Sequence, residues 1–338
     1  METILYLAPV ETDGTLSKAS LEAAGAAKAL AQALGGAKLL AGLFGADASK
    51  AAAQLGGAGF EKALLAEDAA LSQPRYATDA AAFVALAQAS GASIVVAPAS
   101  SRVQRVAAGA ASRLKGAIDT HATELLAENG AAAATRWLYR QRFSSTVRRA
   151  ARPWILTVDA GNYPAPSGGA APAAEKIAFT APATGTVVEG VRSPSSGPQT
   201  IRPDAQILFV AGAGWCKKQA DGTTHVPEAE KLILGFLDKA KASLGGSKSM
   251  VDQQGEGAAL SFMSHLNQIG QTGATPRHPK GLATCCHGEE PHVVGWRFVN
   301  ERRAVNLNAG CGWAQGKADV LYVADAFQVV ARVNELLG

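Results

Sequence analysis

Gln268-Ile-Gly-Gln-Thr-Gly273, with Cys285-Cys-His-Gly-Glu-Glu-Pro-His292 closing the same stretch, spends glycines and polar side chains where a globular domain would spend core residues. Glycine lets the backbone approach a ligand closely or take φ > 0, and the neighbouring Gln, Thr and His supply donors and acceptors of several kinds. The combination suits a cofactor with many heteroatoms; taken bare, it also suits a plain surface turn. Its company decides between them. Upstream lies Gly245-Gly-Ser-Lys-Ser-Met-Val-Asp252, and downstream come Asn308 and Asp325, each next to a short apolar run.

A chain of 338 residues exceeds one ordinary core and predicts two domains. Hydrophobic residues make up 48% and charged residues 18%, a balance that describes a well-buried globular protein. Much of the apolar share is alanine, so the helices are expected to pack closely against sheets. The net charge of +4 is modest and the basic residues are spread along the chain, which gives nucleic-acid binding no support. Cys216, Cys285, Cys286 and Cys311 form no Cys-x-x-Cys pair, so they read as free thiols rather than a metal site or disulfide framework. No run resembles a signal peptide or a membrane span, and the first strand begins almost at the first residue. The expectation is a cytoplasmic protein that is not membrane-embedded.

The first half alternates apolar runs with helical segments. Strands are expected at residues 3–8, 38–44, 62–66 and 93–97, with helices at 17–34, 49–55 and 76–90 between them. Strands apolar throughout and separated by helices indicate a parallel sheet covered on both faces, a doubly wound α/β domain. The loop Pro98-Ala-Ser-Ser-Arg-Val-Gln-Arg105 follows the fourth strand, where open α/β sheets bind ligands; its first reading is the capped start of a helix over 102–114. Beyond Gly116, Thr123-Glu-Leu-Leu126, Thr135-Arg-Trp-Leu-Tyr139 and Pro153-Trp-Ile-Leu-Thr-Val158 read as antiparallel or edge strands. Residues 164–174 are rich in proline, glycine and alanine and read as a linker, with a strand-like segment at 175–179. The second half opens on the buried strand Gln206-Ile-Leu-Phe-Val-Ala211, turns at Gly212-Ala-Gly214, and continues into a core helix over 227–244; a last helix covers 326–337.

These motifs together resemble the carboxy-terminal half of the electron-transfer flavoprotein alpha (large) subunit. The family pattern there runs Gly-Ala-Ser-Arg, Val-Asp, Gln-Val-Gly-Gln-Thr-Gly, then Gly-Ile-Ser-Gly-Ala-Ile-Gln-His. Leu65-Ala-Glu-Asp68 and the 98–102 loop are similar to its amino-terminal domain, so the resemblance covers nearly the whole chain. It implies an amino-terminal doubly wound α/β domain of the adenine-nucleotide alpha-hydrolase type (1–163) that contacts a beta subunit. A linker and edge strand (164–203) and a parallel-sheet FAD-binding domain (204–338) would follow.

Residue by residue, the resemblance places Ser247 and Lys248 on Ser-Arg, where the family's Arg lies over the flavin ring; Lys keeps the charge and loses the planar surface. Gln268, Gln271, Thr272 and Gly273 fall on the Gln-Thr-Gly motif that reaches the ring's N5 edge. His292 falls on the terminal His facing the pyrimidine end, where a polarised donor offsets charge. His287 and Gly288 lie in the pyrophosphate loop, and Asn308 and Asp325 at the adenosine end. Gly212 belongs to the family's Ser-Gly-Gly-Arg-Gly turn, from which this chain departs: Ala211, Ala213, Gly214 and Trp215 stand where Ser, Gly, Arg and Gly would be. Cys285, Cys286, His287 and Pro291 likewise replace Gly, Ile, Ser and Gln. The function so implied is an electron carrier with one FAD, paired with a beta subunit that holds AMP or a second FAD. It would accept electrons from a flavoprotein dehydrogenase and pass them to a membrane quinone reductase. A paralogue without FAD, serving as a structural or regulatory nucleotide-binding partner, is the alternative that the altered phosphate motifs favour. An NAD-dependent enzyme would lack an acid or base beyond His287 and His292.

Overall fold

The computed structural model describes residues 2–138, 143–190, 201–202, 205–252, 259–269, 278–285, 299–310 and 318–338. The chain divides into two compact units, Met1–Val191 and Arg192–Gly338.

In the first unit, strands β1 (Thr3–Pro9), β2 (Lys38–Gly45), β3 (Ala63–Glu67) and β4 (Ile94–Pro98) are buried almost from end to end. Helices α1 (Lys18–Ala33), α2 (Ala48–Ala52), α3 (Tyr76–Ser90) and α4 (Ser101–Arg113) connect and follow them. Ser17 caps α1 by accepting the Ser20 N–H, and Gly91 ends α3 in the left-handed conformation at φ 61°. The alanines of α1 (Ala23, Ala24, Ala26, Ala27) let it sit close on the sheet.

The remaining strands are β5 (Ala117–Glu128), β6 (Ala131–Leu138), β7 (Phe143–Val147), β8 (Trp154–Val158) and β9 (Ala174–Lys176). The nine-stranded order is β7-β6-β5-β8-β4-β1-β2-β3-β9. Among the described strands of this sheet, β5–β6 and β6–β7 pair antiparallel and the others parallel. The segment 153–158 was expected at an edge or antiparallel; it forms β8, buried throughout and parallel to both β4 and β5. Its unbroken Trp-Ile-Leu-Thr-Val run is the mark of a strand covered on both faces. Part of the expected linker lies on this unit. A Cβ at Gly25 would overlap the Pro164 carbonyl, one at Gly57 would overlap Ser167 and Gly168, and β9 pairs with β3.

Chain order reverses between β1 and β4, where a doubly wound sheet opens a crevice. There Ser100 accepts the Val103 N–H and starts α4. Arg102 turns inward, forking onto buried Asp79 (2.8 Å and 2.8 Å), donating to the Leu71 carbonyl and lying over the Phe44 ring. The capped helix start expected for this loop is formed.

The second unit holds β10 (Ile207–Ala211), β11 (Ser243–Gly246), β12 (Lys280–Cys285), β13 (Glu301–Asn306) and β14 (Val320–Val323), with helices α5 (Val226–Ala240), α6 (Lys248–Val251) and α7 (Ala326–Leu336). These five strands pair in parallel, and the order is β11-β10-β12-β13-β14, which puts the reversal between β10 and β12. The helix expected over 227–244 stops at Ala240, where Lys241 takes the left-handed cap. Residues 243–246 are a strand instead, because its two glycines admit neighbours: a Cβ at Gly245 would crowd Ile269, and one at Gly246 would overlap Met263. Phe209, Trp215, Phe236, Val305 and Val330 fill one face of this sheet, and Leu208, Val210, Ile269 and Ala283 the other. No helix among the described residues is long and apolar enough to cross a membrane.

Candidate functional site

A parallel sheet gathers its loops at the carboxyl ends of its strands, and the described candidate residues of the second unit all lie along that edge. Gly212 follows β10, Ser247 and Lys248 follow β11, Gln268 bridges to Gly246, Asn308 follows β13 and Asp325 follows β14. Gln271, Thr272, Gly273, His287, Gly288 and His292 lie outside the described residues.

The edge begins at β10. The Gly212 N–H donates to the Thr284 carbonyl of β12 (2.8 Å), tying the turn across the point of reversal. Trp215 is fully buried; its indole N–H donates to the Thr284 hydroxyl (2.8 Å), which donates to the Val210 carbonyl (3.0 Å). Its ring lies 4.6 Å from that of Phe327 on α7. Trp215 is therefore a core residue anchoring the turn. The turn runs into a single 3-10 turn, Ala213–Cys216, and not directly into α5. Between it and α5, Asp221 accepts from the Thr223 N–H and faces His225 (2.7 Å), which hold its carboxyl down at about 2. With Glu228 in the first turn of α5, that helix end carries negative charge and opposes an anion. Burial pushes the neighbouring Cys216 thiol up.

At β11, buried Ser247 accepts the Met250 N–H (3.2 Å) and its own N–H donates to the Ala211 carbonyl. Lys248 extends into solvent, 66% exposed, with Asp252 at 4.0 Å. Buried Gln268 is held by the Ile269 N–H to Gly246 carbonyl bond next to it, and its side-chain oxygen faces His265 (3.3 Å). A solvated cation and a buried amide thus share one strand end, one strand away from the reversal point.

At the far end the amides are arranged differently from expectation. Asn308 is exposed and accepts the Gly310 N–H, while the residue buried at the end of β13 is Asn306, whose side chain accepts the Asn308 N–H. Asn306 went unnoticed in sequence although it closes the apolar Ala304-Val305 run, where a strand delivers its last side chain to the edge. Asp325 caps α7, its Oδ1 accepting from Phe327 and Gln328.

The family model for the electron transfer flavoprotein domain matches residues 4–184, more than half of the chain. The chain belongs to the electron transfer flavoprotein domain family. No curated protein matches the chain significantly. The family match lies within the first unit and ends before β10, so the edge built by β10 to β14 is supported by its own geometry alone. For FAD the donor set there fits in kind: a solvated ammonium at Lys248, an ordered amide at Gln268 and a buried amide at Asn306 stand along one carboxyl edge. Ser247 and Asp325 spend their oxygens on helix starts.

Proposed function

We propose that the chain is the alpha (large) subunit of a heterodimeric electron-transfer flavoprotein, holding one FAD in its second unit and pairing with a smaller beta subunit. It takes electrons from a flavoprotein dehydrogenase and hands them to a membrane quinone reductase. The observation that carries this reading is the joining of a family domain to a second unit with a parallel five-stranded sheet, whose carboxyl edge collects Lys248, Gln268 and Asn306 beside a reversal in strand order. Bound FAD would supply the redox chemistry; the chain supplies binding and electrostatics. Lys248 places positive charge where reduction adds negative charge, Gln268 fixes a donor and acceptor at the end of β11, and Gln271, Thr272 and His292 belong to the same reading by sequence. No side chain acts as nucleophile or base.

The paralogue without FAD remains the second reading, favoured by one observation: Trp215 packs into the core where the family carries a glycine. Titrating the flavin-stripped full chain with FAD and following quenching of flavin fluorescence separates the two. Binding that weakens about tenfold in Lys248→Ala, near 1.4 kcal/mol, supports the site. Equal affinity in Lys248→Ala, Gln268→Ala and the parent chain refutes it.

A further inference from the structure

One residue of β5 stands in a conformation that strands avoid. His121 has φ 59°, in the left-handed region, which is unfavourable for a residue with a Cβ. The register of β5 with β8 shifts between Asp119 and Ala122, so His121 sits in a bulge, a device that re-aims a single side chain. The bulge is fixed from several sides. The His121 N–H donates to the hydroxyl of buried Thr157 (3.2 Å), the Asp159 N–H donates to the Ala122 carbonyl (2.9 Å), and the Asn162 amide donates to the Asp159 carbonyl (2.8 Å). Three segments at the sheet's carboxyl edge thereby meet: His121 from β5, Asp159 from just after β8, and Gln104 from the first turn of α4, which follows β4.

The two contacts of the imidazole select its tautomer. Nδ1 stands 2.7 Å from Asp159 Oδ1, and a carboxylate only accepts, so Nδ1 carries the hydrogen. Nε2 stands 3.2 Å from the Gln104 side-chain nitrogen, which only donates, so Nε2 presents its lone pair. The ring is 57% exposed, while Asp159, 19% exposed, grips it by the opposite nitrogen. An imidazole held this way is more basic and more nucleophilic at Nε2, because charge formed on the ring is offset as it develops. The other described histidines are placed differently. Both nitrogens of His225 face carboxylates, Asp221 at 2.7 Å and Glu228 at 3.5 Å; His278 is buried; and Nδ1 of His265 faces the Gln268 amide oxygen at 3.3 Å. Among the described residues no three His, Cys, Asp or Glu side chains gather as metal ligands, so His121 offers one oriented nitrogen rather than part of such a cluster.

We propose that His121 is a modification site that accepts a phosphoryl group at Nε2 from a small acyl phosphate. The Nε2 lone pair attacks phosphorus, the bond from phosphorus to the acyl oxygen breaks, and the carboxylate leaves with the bonding pair. The ring keeps its Nδ1 hydrogen against Asp159, which offsets the positive charge the ring acquires, and no proton is released. The surroundings of Nε2 suit the product: the Gln104 N–H that now donates to the lone pair can donate to a phosphoryl oxygen. It does so from the first turn of α4, where the helix carries partial positive charge. The site lies in the first unit and is independent of the flavin reading.

The test incubates the full chain with acetyl phosphate at neutral pH, follows each histidine-bearing peptide by mass spectrometry, and identifies the modified nitrogen by phosphorus NMR. The expected result is phosphorylation of His121 about tenfold or more faster than of His265 or His225, and on Nε2. In Asp159→Asn the rate at His121 should fall about tenfold or more while that at His265 holds. A rate at His121 no greater than at His265 in the parent chain overturns the proposal, and this comparison needs no variant to fold. A phosphoryl group on Nδ1, acetylation in place of phosphorylation, or an Asp159→Asn chain that melts like the parent and reacts as fast also overturns it.

Discussion

A double-mutant cycle at Trp215 and Thr284 tests whether the turn after β10 is held by a buried hydrogen-bonded pair. Trp215→Phe keeps an aromatic ring near Phe327 but removes the N–H donated to Thr284 at 2.8 Å, a loss of about 1 kcal/mol. The smaller ring leaves a void in a fully buried site, adding about 1 kcal/mol more. Thr284→Val preserves the shape but strands the indole N–H in the core, at about 1–3 kcal/mol. In the double variant no orphaned donor remains, so its destabilisation should fall short of the sum of the singles by about 1 kcal/mol or more. Urea unfolding followed by circular dichroism, with hydrogen exchange identifying the second unit's transition, reads all four proteins. Additivity within about 0.3 kcal/mol would show that Trp215 and Thr284 do not share this bond and that the turn is held otherwise.

Asp119, 2% exposed, accepts from Arg149 (2.7 and 2.8 Å), Arg136 (3.1 Å) and the Trp154 indole (3.0 Å), so Asp119→Asn should cost about 3 kcal/mol in a urea melt. Burial raises its carboxyl, but Arg149 and Trp154 outweigh burial and hold it below the ordinary carboxylate value. Its contribution is therefore complete above about pH 4 and fades as pH falls through the lowered native value; a gap between parent and variant that stays constant down to pH 2 would contradict this. Tyr6→Phe removes a buried hydroxyl that has no hydrogen-bond partner among the described residues and should stabilise the first unit by about 1 kcal/mol; a loss of stability would show that the hydroxyl is satisfied. Lys248→Ala should change thermal stability by less than about 0.5 kcal/mol, since the side chain is solvated, while lowering the potential of bound FAD; a large fall in melting temperature would mark Lys248 as structural.

Much of the architecture is legible in the order of apolar runs. Runs the length of a strand, alternating with alanine-rich helices, give parallel sheets whenever both faces are covered, and β1 to β4 follow that rule. The misreadings share a cause: tertiary context decides between patterns of equal local merit. Residues 154–158 read as an edge because they follow hairpin-like segments, yet their unbroken hydrophobicity sends them between β4 and β5. Residues 243–246 read as the end of a helix because Leu244 fits its period, yet Lys241 turns left-handed and the glycines accept Ile269 and Met263. Along the candidate edge, Lys248 and Gln268 are singled out by motif, and the bridge from Gly246 to Gln268 sets them at one strand end. Asn306 was missed in favour of Asn308, since a spacing of two along a strand end decides which amide is buried and only the register of β12 with β13 fixes that choice. The burial of Trp215 has no sequence signal beyond its size, because a residue after a glycine turn is ordinarily solvated.

The central claim is that this chain carries flavin within a heterodimer, and the most direct test is the visible spectrum of the complex purified with its neighbouring gene product and reduced stepwise. Flavin absorbance is expected in amounts matching the chain, bleaching on reduction and returning on reoxidation, with Lys248→Ala shifting the potential at which it bleaches. A complex that is colourless as purified, and stays so after incubation with FAD, would contradict it.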